Sequence, residues 1–321
     1  MVLLVTGAMG HVGQDLVRQA ADRGHRVVAQ YRGSFNANAP ATSSPGVKWV
    51  KAELTDVHAV AALIETHGVT GAIHTAAVPN ESVARPDPFG TVNSNVGAVA
   101  GLLDQARRRN WRRFVYVSSG SVFQKADCTT PILEDHPPAV TNVYSTTKFC
   151  GELMTTMFRS QYDLSAATVR ISWVYGPPLV PRERTNPRGP IPWFLKLALG
   201  GQPIVEPSGG DFAASFTHVS DVAAGLLAAY EAKALRHPVY HLGSRLNFST
   251  SQVADAVRKA VPGASISVGP GSAPWTDHTR MRGPLAGNRL FEDAGFEPKF
   301  DLEQGVHSFA EWMRANPKAW S

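Results

Sequence analysis

Tyr144 and Lys148 are the residues of this chain best suited to acid–base chemistry. They are four residues apart in the segment Tyr144-Ser145-Thr146-Thr147-Lys148, so on a helix they share one face. A phenol has a pKa of about 10, and a neighbouring ammonium lowers that pKa by stabilising the phenolate. Such a pair takes a proton from an alcohol or returns one to a ketone. The spacing also occurs on solvated helix faces, so a catalytic interpretation needs a hydride carrier as well.

The start of the chain has the pattern expected of a site for such a carrier. The apolar run 2–6 leads into Gly7, Gly10 and Gly13, and a helical pattern follows as far as Gly24. A strand, a glycine turn and a helix form half of a βαβ unit, where the backbone comes close to a pyrophosphate and the helix N-terminus binds it. The spacing is Gly-x-x-Gly-x-x-Gly, not the common Gly-x-Gly-x-x-Gly. We predict a dinucleotide site here in preference to a simple tight turn.

The residues that follow the second predicted strand, 26–31, bear on the choice between NADP and NAD. A carboxylate at its end would bind the adenosine ribose hydroxyls of NAD, whereas an arginine accepts the 2′-phosphate of NADP. The chain has Tyr31 and then Arg32 at this point. The sequence therefore favours NADP, with NAD as the alternative, and an exposed loop arginine is the competing explanation for Arg32.

Further apolar runs complete a predicted parallel sheet. They lie at 47–51, 72–75 and 113–118, and the last is the nearly unbroken kind found in buried parallel strands. It delivers Ser119 to the carboxyl edge of the sheet, where ligands of such folds bind. The segment 53–56 is predicted to cap the next helix, with acids in its first turn. A helix containing Asn95 is predicted over 88–109.

Composition, charge and motif content bear on whether the protein binds nucleic acid, a metal ion or a membrane. The 321 residues are 43% hydrophobic and 18% charged, with a net charge of +5, which permits anionic ligands without requiring nucleic acid. Cys128 and Cys150 have no metal-ligand spacing, and the histidines show no ligand pattern. We find no signal-peptide pattern and no apolar run of membrane-spanning length. The expectation is a cytoplasmic, metal-free protein without a nucleic-acid or membrane partner.

Several stretches, in this order, resemble the extended short-chain dehydrogenase/reductase family, also called the NAD-dependent epimerase/dehydratase family. They are TGAMGHVG (6–13), ELTD (53–56), HTAA (74–77), FVYVSSGSVF (114–123), YSTTK (144–148), RISWVYGPP (170–178) and FTHVSDVA (216–223). The resemblance implies an α/β fold, a doubly wound parallel Rossmann sheet with a smaller C-terminal α/β substrate domain. We expect residues 1–172, with return segments at about 216–243, to bind the dinucleotide and residues 173–321 mainly to bind the substrate.

The resemblance also implies the site residues. Ser119, Tyr144 and Lys148 take the catalytic roles: the tyrosine exchanges the proton, the lysine lowers the pKa of the tyrosine and bonds the nicotinamide ribose, and the serine holds the reacting oxygen. The cofactor contacts predicted are Gly7, Met9, Gly10, His11, Val12, Gly13, Arg32, Glu53, Leu54, Thr75, Ala76, Ala77, Asn95, Tyr144, Lys148 and Ile171. The substrate contacts predicted are Val78, Ser119, Gly120, Ser121, Tyr144 and Trp173.

Departures from the family pattern narrow the chemistry. Family dehydratases and nucleotide-sugar decarboxylases have an acidic residue just after the catalytic Ser or Thr, where this chain has Gly120 and Ser121. Members that bind nucleotide sugars often have an Asn in place of Trp173 and an Arg in place of Ala214. The lack of an acid at Gly120 and Ser121 predicts that the protein does not catalyse dehydration. The residues Trp173 and Ala214 weigh against a nucleotide-sugar substrate without excluding it.

The C-terminal half is expected to hold the substrate. Prolines recur over 177–192, which predicts a functional loop. The arginines that could contact a substrate in this half are Arg182, Arg184, Arg188, Arg280, Arg282 and Arg289. They either lie in solvated loops, or one or two of them pair with a substrate carboxylate or phosphate. Trp173, Trp193 and Trp275 either pack in a core or stack on a sugar ring. A strand at 239–243 and helices near 249–260, 285–294 and 302–314 complete this half.

The sequence predicts an NAD(P)-dependent oxidoreductase acting on a small molecule. The hydride would move at a secondary alcohol or ketone of a sugar, sugar acid or polyol. One alternative is an epimerase, including a nucleotide-sugar epimerase, that retains its cofactor. The other is a non-catalytic NADP(H)-binding protein. Family analogy implies a homodimer formed through the helices that carry Asn95 and Tyr144.

Overall fold

The computed structural model describes residues 1–37, 39–127, 129–184 and 189–320. Cys128 and Arg188, considered above, lie outside the described residues. The strands are β1 Val2–Thr6, β2 Arg26–Tyr31, β3 Val47–Lys51, β4 Gly71–His74, β5 Arg113–Ser119, β6 Ala166–Ile171, β7 Trp173–Tyr175, β8 Ile204–Glu206, β9 Ala213–Ala214, β10 Phe216–His218, β11 Val239–Leu242, β12 Phe248–Ser249 and β13 Ile266–Val268. The α-helices are α1 His11–Asp22, α2 Val57–His67, α3 Glu81–Ala84, α4 Pro88–Val92, α5 Ala98–Arg108, α6 Val143–Tyr162, α7 Pro190–Leu199, α8 Val219–Glu231, α9 Thr250–Ala260, α10 Arg289–Ala294 and α11 Leu302–Ala315.

A parallel sheet of seven strands lies at the centre, in the order β11-β6-β5-β4-β1-β2-β3. From β1 the chain adds β2 and β3 on one side, and then β4, β5 and β6 on the other. Ligands of doubly wound sheets bind where the strand order reverses, at the carboxyl ends of the strands. The predicted doubly wound Rossmann sheet is confirmed, and it opens its crevice between β1 and β4.

Both faces of this sheet are covered, because successive side chains of a strand point to opposite sides. Leu3 and Val5 of β1 pack in a cluster with α1 and α8. Val2 and Leu4 pack in a second cluster with α5 and α6. A third cluster joins α7, α9 and α11 near the short pair β8–β13, and this part forms the smaller α/β region. Burial on both faces explains the continuous apolar runs of the sheet strands.

The predicted helix over 88–109 differs in detail from the structure. The helical run is continuous, but Asn93–Gly97 forms a π-helical turn between α4 and α5. The turn contains Asn95, whose Oδ1 accepts a hydrogen bond from the Val78 N–H at 2.7 Å. Single π turns inside α-helices are often found at functional sites. The apolar periodicity of the sequence does not show one.

Other element ends also correct the sequence predictions. Asp56 caps α2 as expected, accepting bonds from two N–H groups, but the first turn of that helix holds no acid. Helix α10 begins at Arg289 and not near 285, because Leu285 instead bridges to Ile132 in a β-type pair. Pro190, expected in a loop, occupies the first turn of α7, where a missing N–H costs nothing.

Candidate active site

A cavity of about 490 Å³ lies along the carboxyl edge of the sheet. Ser119, Tyr144 and Lys148 line it together with the three glycines of the first turn. The residues predicted to contact a cofactor that line it are Gly7, Met9, Gly10, His11, Val12, Gly13, Arg32, Glu53, Leu54, Thr75, Ala76, Ala77, Tyr144, Lys148 and Ile171. We call this cavity the main cleft.

The glycine turn leaves no room for side chains. Gly7 has φ +63°, and a Cβ there would lie 2.8 Å from the Cα of Ala76. A Cβ on Gly13 would lie 2.2 Å from the carbonyl oxygen of Gly7. Both contacts are far closer than van der Waals distance, so these positions require glycine. The turn therefore brings bare backbone up to the floor of the cleft.

The first turn of α1 lies beside this backbone. The Gly10 cap makes no side-chain bond to the helix N–H groups, and the first turn holds no acidic residue. The N–H groups of a helix N-terminus and the positive end of the helix dipole form a site for an anionic group. A glycine cradle under an uncapped helix N-terminus fits the pyrophosphate of a dinucleotide.

Gln30 is a cleft residue that sequence analysis missed. Its Oε1 accepts the Gly7 N–H at 3.0 Å, and its Nε2 donates to the Ala52 carbonyl at 2.6 Å. The side chain thus fixes the glycine turn to the loop after β3. The sequence does contain a signal for this role, because Gln30 is a polar residue between the apolar residues of β2, and its side chain is buried. Ser172 and Val174 also line the cleft and had not been predicted.

The catalytic candidates are held by neighbouring elements. Ser119 ends β5, pairs with Ile171 of β6, and its Oγ accepts the Ser121 N–H at 3.1 Å. Tyr144 lies in the first turn of α6, which begins with a capping box from Asn142. The Tyr144 N–H donates to the Glu81 carboxylate at 2.9 Å. Both side chains are therefore presented to the cleft from the ends of well-anchored elements.

Lys148 is buried one turn further along α6. Its Nζ donates to the Val117 carbonyl at 2.6 Å and lies 4.5 Å from the centre of the Tyr116 ring. Burial lowers the pKa of the Lys148 ammonium to about 7, and the negative charge of Glu152 opposes that shift. The amine is thus fixed in position next to the cleft, and its protonation responds to pH near neutrality.

A buried ion pair lies beneath Lys148. Arg170 of β6 donates to the Glu152 carboxylate, with shortest distances of 2.9 and 2.7 Å to its two oxygens, and both side chains are nearly inaccessible to solvent. Ser118 donates a further hydrogen bond to the same carboxylate. The buried carboxylate is thus both paired and hydrogen-bonded.

Four predicted site residues do not line the main cleft. Asn95 is buried and bonds the Val78 main chain and Thr147, so it supports the loop after β4. Gly120 and Ser121 form a short 3₁₀ turn behind Ser119, and the Ser121 Oγ is buried without a hydrogen-bond partner among the described residues. Trp173 lines a smaller cavity, which shares Ser172 with the main cleft.

Arg32 and Glu53 lie at the far end of the main cleft. The Arg32 side chain is 63% exposed, and its Nη1 is 3.8 Å from the Glu53 carboxylate. The contact is too long for a strong hydrogen bond and is exposed to solvent, so the pair holds the arginine only weakly. The guanidinium therefore remains able to approach a ligand phosphate.

The described residues contain neither a candidate metal centre nor a candidate membrane span. No group of three or more His, Cys, Asp or Glu side chains in the part of the chain that the structure describes is arranged to hold a metal ion. Within the same ranges, no helix combines the length and the apolar character needed to cross a bilayer.

Comparison with known proteins gives consistent matches over the whole chain. The model of the NAD dependent epimerase/dehydratase family matches residues 3–243. A dTDP-glucose 4,6-dehydratase from Actinoplanes sp. is 26% identical over 338 residues, covering 100% of both chains. The structure of a UDP-glucose 4-epimerase from Thermotoga maritima with UDP-glucose superposes with a TM-score of 0.84 at 20% identity, covering 99% of this chain and 100% of that one. A dTDP-glucose 4,6-dehydratase from Bacillus anthracis in complex with NAD gives 0.84 at 21% identity, covering 100% and 98%.

Proposed function

Because the chain belongs to the NAD-dependent epimerase/dehydratase family, we propose that it is an oxidoreductase acting on a sugar, sugar acid or polyol-like molecule. The reaction is hydride transfer at a secondary alcohol or ketone. One observation carries the proposal: Ser119, Tyr144 and Lys148 line the same cleft as the glycine turn. Residues 1–172, with return segments at about 216–243, would bind the dinucleotide, and residues 173–321 would mainly bind the substrate.

A bound nicotinamide supplies the acceptor or donor of the hydride, and the residues of the chain manage the proton. Tyr144 takes the hydroxyl proton onto its phenol oxygen in oxidation and returns it in reduction. Lys148, fixed by the Val117 carbonyl, favours the phenolate when it is charged. Ser119 donates to the reacting oxygen and stabilises the charge that develops on it.

Dehydration is disfavoured by the lack of a suitable acid, although the curated relatives include dehydratases. Among the described residues, Glu53 is the one carboxylate that lines the main cleft. It follows β3, four strands from β5 and Ser119 in the sheet, which at strand spacing is about 19 Å. Eliminating water needs an additional acid or base near the reacting carbon. Gly120, where dehydratases have an acid, instead packs against Leu285 and Arg282.

We further propose NADP as the preferred cofactor. Arg32 follows β2 in the main cleft, and no acidic residue occupies the end of that strand. A carboxylate at this position would select NAD through the ribose hydroxyls, whereas a guanidinium accepts a 2′-phosphate. The Bacillus anthracis dehydratase was solved with NAD, so NAD is the competing cofactor.

The central experiment replaces the proposed base. Tyr144→Phe removes the phenol oxygen and keeps the ring, so binding of NADPH should stay within about twofold while turnover falls by at least about 100-fold. Tyr162→Phe, at an exposed position near the end of the same helix, is the matched control and should keep full turnover. Wild-type turnover by Tyr144→Phe would refute the assigned base.

The fate of the cofactor separates a dehydrogenase from an epimerase. A dehydrogenase exchanges NADPH and NADP⁺ in each turnover, so the dinucleotide should leave on dialysis and its absorbance should change during the reaction. An epimerase retains the dinucleotide and shows no net absorbance change. NADPH binding without turnover across a panel of sugars and carbonyl compounds would leave only a binding role.

A further inference from the structure

The smaller cavity beside the main cleft contains a guanidinium without a counter-ion. This cavity, of about 30 Å³, is lined by Trp173, Asn247 and Arg282 among others, and it shares Ser172 with the main cleft. Arg282 is only partly exposed. Among the residues that the structure describes, its guanidinium has no carboxylate within salt-bridge distance and no hydrogen-bond acceptor. A buried arginine is normally paired.

Other arginines of this half are already engaged. Arg184 makes a bidentate pair with Glu206, at 2.9 and 2.7 Å, and stacks on Trp275. Arg289 pairs with Asp135. The Arg280 guanidinium, which lines the same small cavity, donates to two main-chain carbonyls of its own loop. Among the described residues, Arg282 therefore differs from these three in that its guanidinium makes no hydrogen bond and no ion pair.

Arg282 lies close to the proposed reacting centre. Its Nη2 is 3.4 Å from the point where a Cβ on Gly120 would lie, directly behind Ser119. Burial lowers the pKa of the guanidinium to about 10, and the neighbouring Tyr144 phenol acts in the opposite direction. The charge is thus near enough to Tyr144 to interact with it and lacks the anion that would restore the usual arginine pKa.

Asn247 adds an acceptor to the same cavity. Its Nδ2 donates to the main-chain carbonyl of Arg282 at 2.7 Å, which fixes the orientation of the amide. Its Oδ1 is buried and has no hydrogen-bond partner among the described residues. An unpaired buried amide oxygen is unfavourable, and a hydroxyl donor from a ligand would satisfy it. The cavity therefore presents one cation and one hydroxyl acceptor.

We propose that this small cavity binds an anionic group of the substrate, with Arg282 as the counter-charge and Asn247 accepting from an adjacent hydroxyl. The inference rests on the proposed function, because it places the reacting carbon beside Ser119 and Tyr144. The cavity, of about 30 Å³, is far smaller than the main cleft of about 490 Å³, so it takes one charged group of a substrate whose carbon skeleton lies in the main cleft. The substrate class is then a polyhydroxylated carboxylate or phosphate, such as a sugar acid or a sugar phosphate.

The test measures binding and does not depend on turnover. Wild-type protein saturated with NADPH is titrated by calorimetry with D-galacturonate, D-gluconate and glucose 6-phosphate, and with the neutral counterparts galactose, glucitol and glucose. These compounds cannot give a hydride to the reduced cofactor through their hydroxyl groups, and the pair D-gluconate and glucitol also has no aldehyde or ketone to accept one, so the ternary complex of that pair is stable. At least one anion should bind at least about tenfold more tightly than its neutral counterpart. Carboxylates and phosphates are scored separately, which distinguishes the two sources of charge.

Variants assign the preference to Arg282. Arg282→Gln should abolish the anion preference, and Arg282→Lys should retain part of it because the charge is kept. Arg258→Gln, which removes an exposed charge from α9, is the matched control and should keep the full preference. Equal binding of anions and neutral compounds by the wild type, or a preference that persists in Arg282→Gln, would overturn the proposal.

The two proposals fail in different ways. Loss of the anion preference with an intact effect of Tyr144→Phe would refute only the subsite. A retained preference with full turnover by Tyr144→Phe would refute only the assigned base.

Discussion

The ammonium nitrogen of Lys148 lies 2.6 Å from the carbonyl oxygen of Val117 and donates a hydrogen bond to it. This bond joins α6 to β5, the strand that ends at Ser119. The side chain of Lys148, which is proposed to lower the pKa of Tyr144, therefore also connects the two elements that carry the proposed catalytic residues. The arrangement allows the amine to act on Tyr144 from a fixed position without contacting the substrate itself.

The first prediction concerns the pH dependence of oxidation. Burial lowers the pKa of the Lys148 ammonium to about 7, so part of this lysine is charged near neutral pH, and that charge favours the Tyr144 phenolate. Lys148→Met removes the ammonium that favours the phenolate. The rising limb of kcat/KM against pH should move to higher pH, and turnover near neutral pH should fall by at least about 100-fold.

The measurement is a pH–rate profile on a substrate that the wild type oxidises. Lys125→Met, at an exposed position between β5 and α6, is the control and should give the wild-type profile. If Lys148 only supported the fold, its replacement would lower the rate without shifting the rising limb of the pH–rate profile. An unshifted limb would therefore contradict the proposal that Lys148 lowers the pKa of Tyr144.

The second prediction separates close packing from backbone strain in the glycine turn. Gly7 and Gly68 have nearly the same left-handed φ, +63° and +62°, but a Cβ on Gly68 meets nothing within 4 Å. Both alanine variants pay a conformational cost of about 1 kcal/mol. Only Gly7→Ala should also displace Ala76 and weaken NADPH binding, by at least about tenfold.

Urea unfolding and calorimetric titration with NADPH check the two effects. Gly68→Ala should lose about 1 kcal/mol of unfolding free energy and keep its NADPH affinity. If Gly7→Ala binds NADPH as the wild type does, the glycine turn is not the pyrophosphate site.

The sequence was sufficient to predict elements whose signal is local. The apolar runs of β1, β3 and β5 and the glycine turn follow from side-chain periodicity and from backbone freedom, which neighbouring residues alone determine. The position of Ser119 follows from the rule that parallel strands present their carboxyl ends at one edge, whereas the grouping of Tyr144 and Lys148 with Ser119 was predicted from the family resemblance.

Features that depend on distant contacts were not predictable. The bond from Gln30 to Gly7 crosses 23 residues, and the contact of Arg282 with Gly120 crosses more than one hundred. The π turn at Asn95 has no signature in its own segment, whose periodicity is that of an ordinary helix. The separation of a smaller cavity, lined by Trp173, from the main cleft also has no signal in the sequence.

The third prediction tests cofactor choice. Arg32→Gln removes the exposed guanidinium near Glu53, so NADP⁺ should bind at least about tenfold more weakly while NAD⁺ affinity stays unchanged. Arg26→Gln, at the exposed start of β2, is the charge-matched control and should bind both cofactors as the wild type does. Tighter binding of NAD⁺ than NADP⁺ by the wild-type protein would show that Arg32 is only a loop residue.

The fourth prediction concerns stability in acid. Burial lowers the pKa of His74 and of His241 to about 3, and that of His218 to about 4. An unfolded histidine has a pKa of about 6.5, so between pH 6.5 and these lower values the unfolded chain binds protons that the folded chain does not. The contribution of these histidines to stability is therefore fully present above about pH 6.5 and falls as the pH drops, by about 1.4 kcal/mol per pH unit for each histidine.

His218 offers the cleanest test, because its Nδ1 caps α8 by accepting the Ser220 N–H. His218→Asn keeps a good capping residue and cannot take up a proton. Between pH 7.5 and pH 5 the wild type should lose about 2 kcal/mol more unfolding free energy than this variant, as measured by urea unfolding at each pH. His58→Asn, at an exposed position in α2, should follow the wild type. If His218→Asn lost stability as steeply as the wild type, His218 would have to be charged inside the folded protein, which its burial opposes.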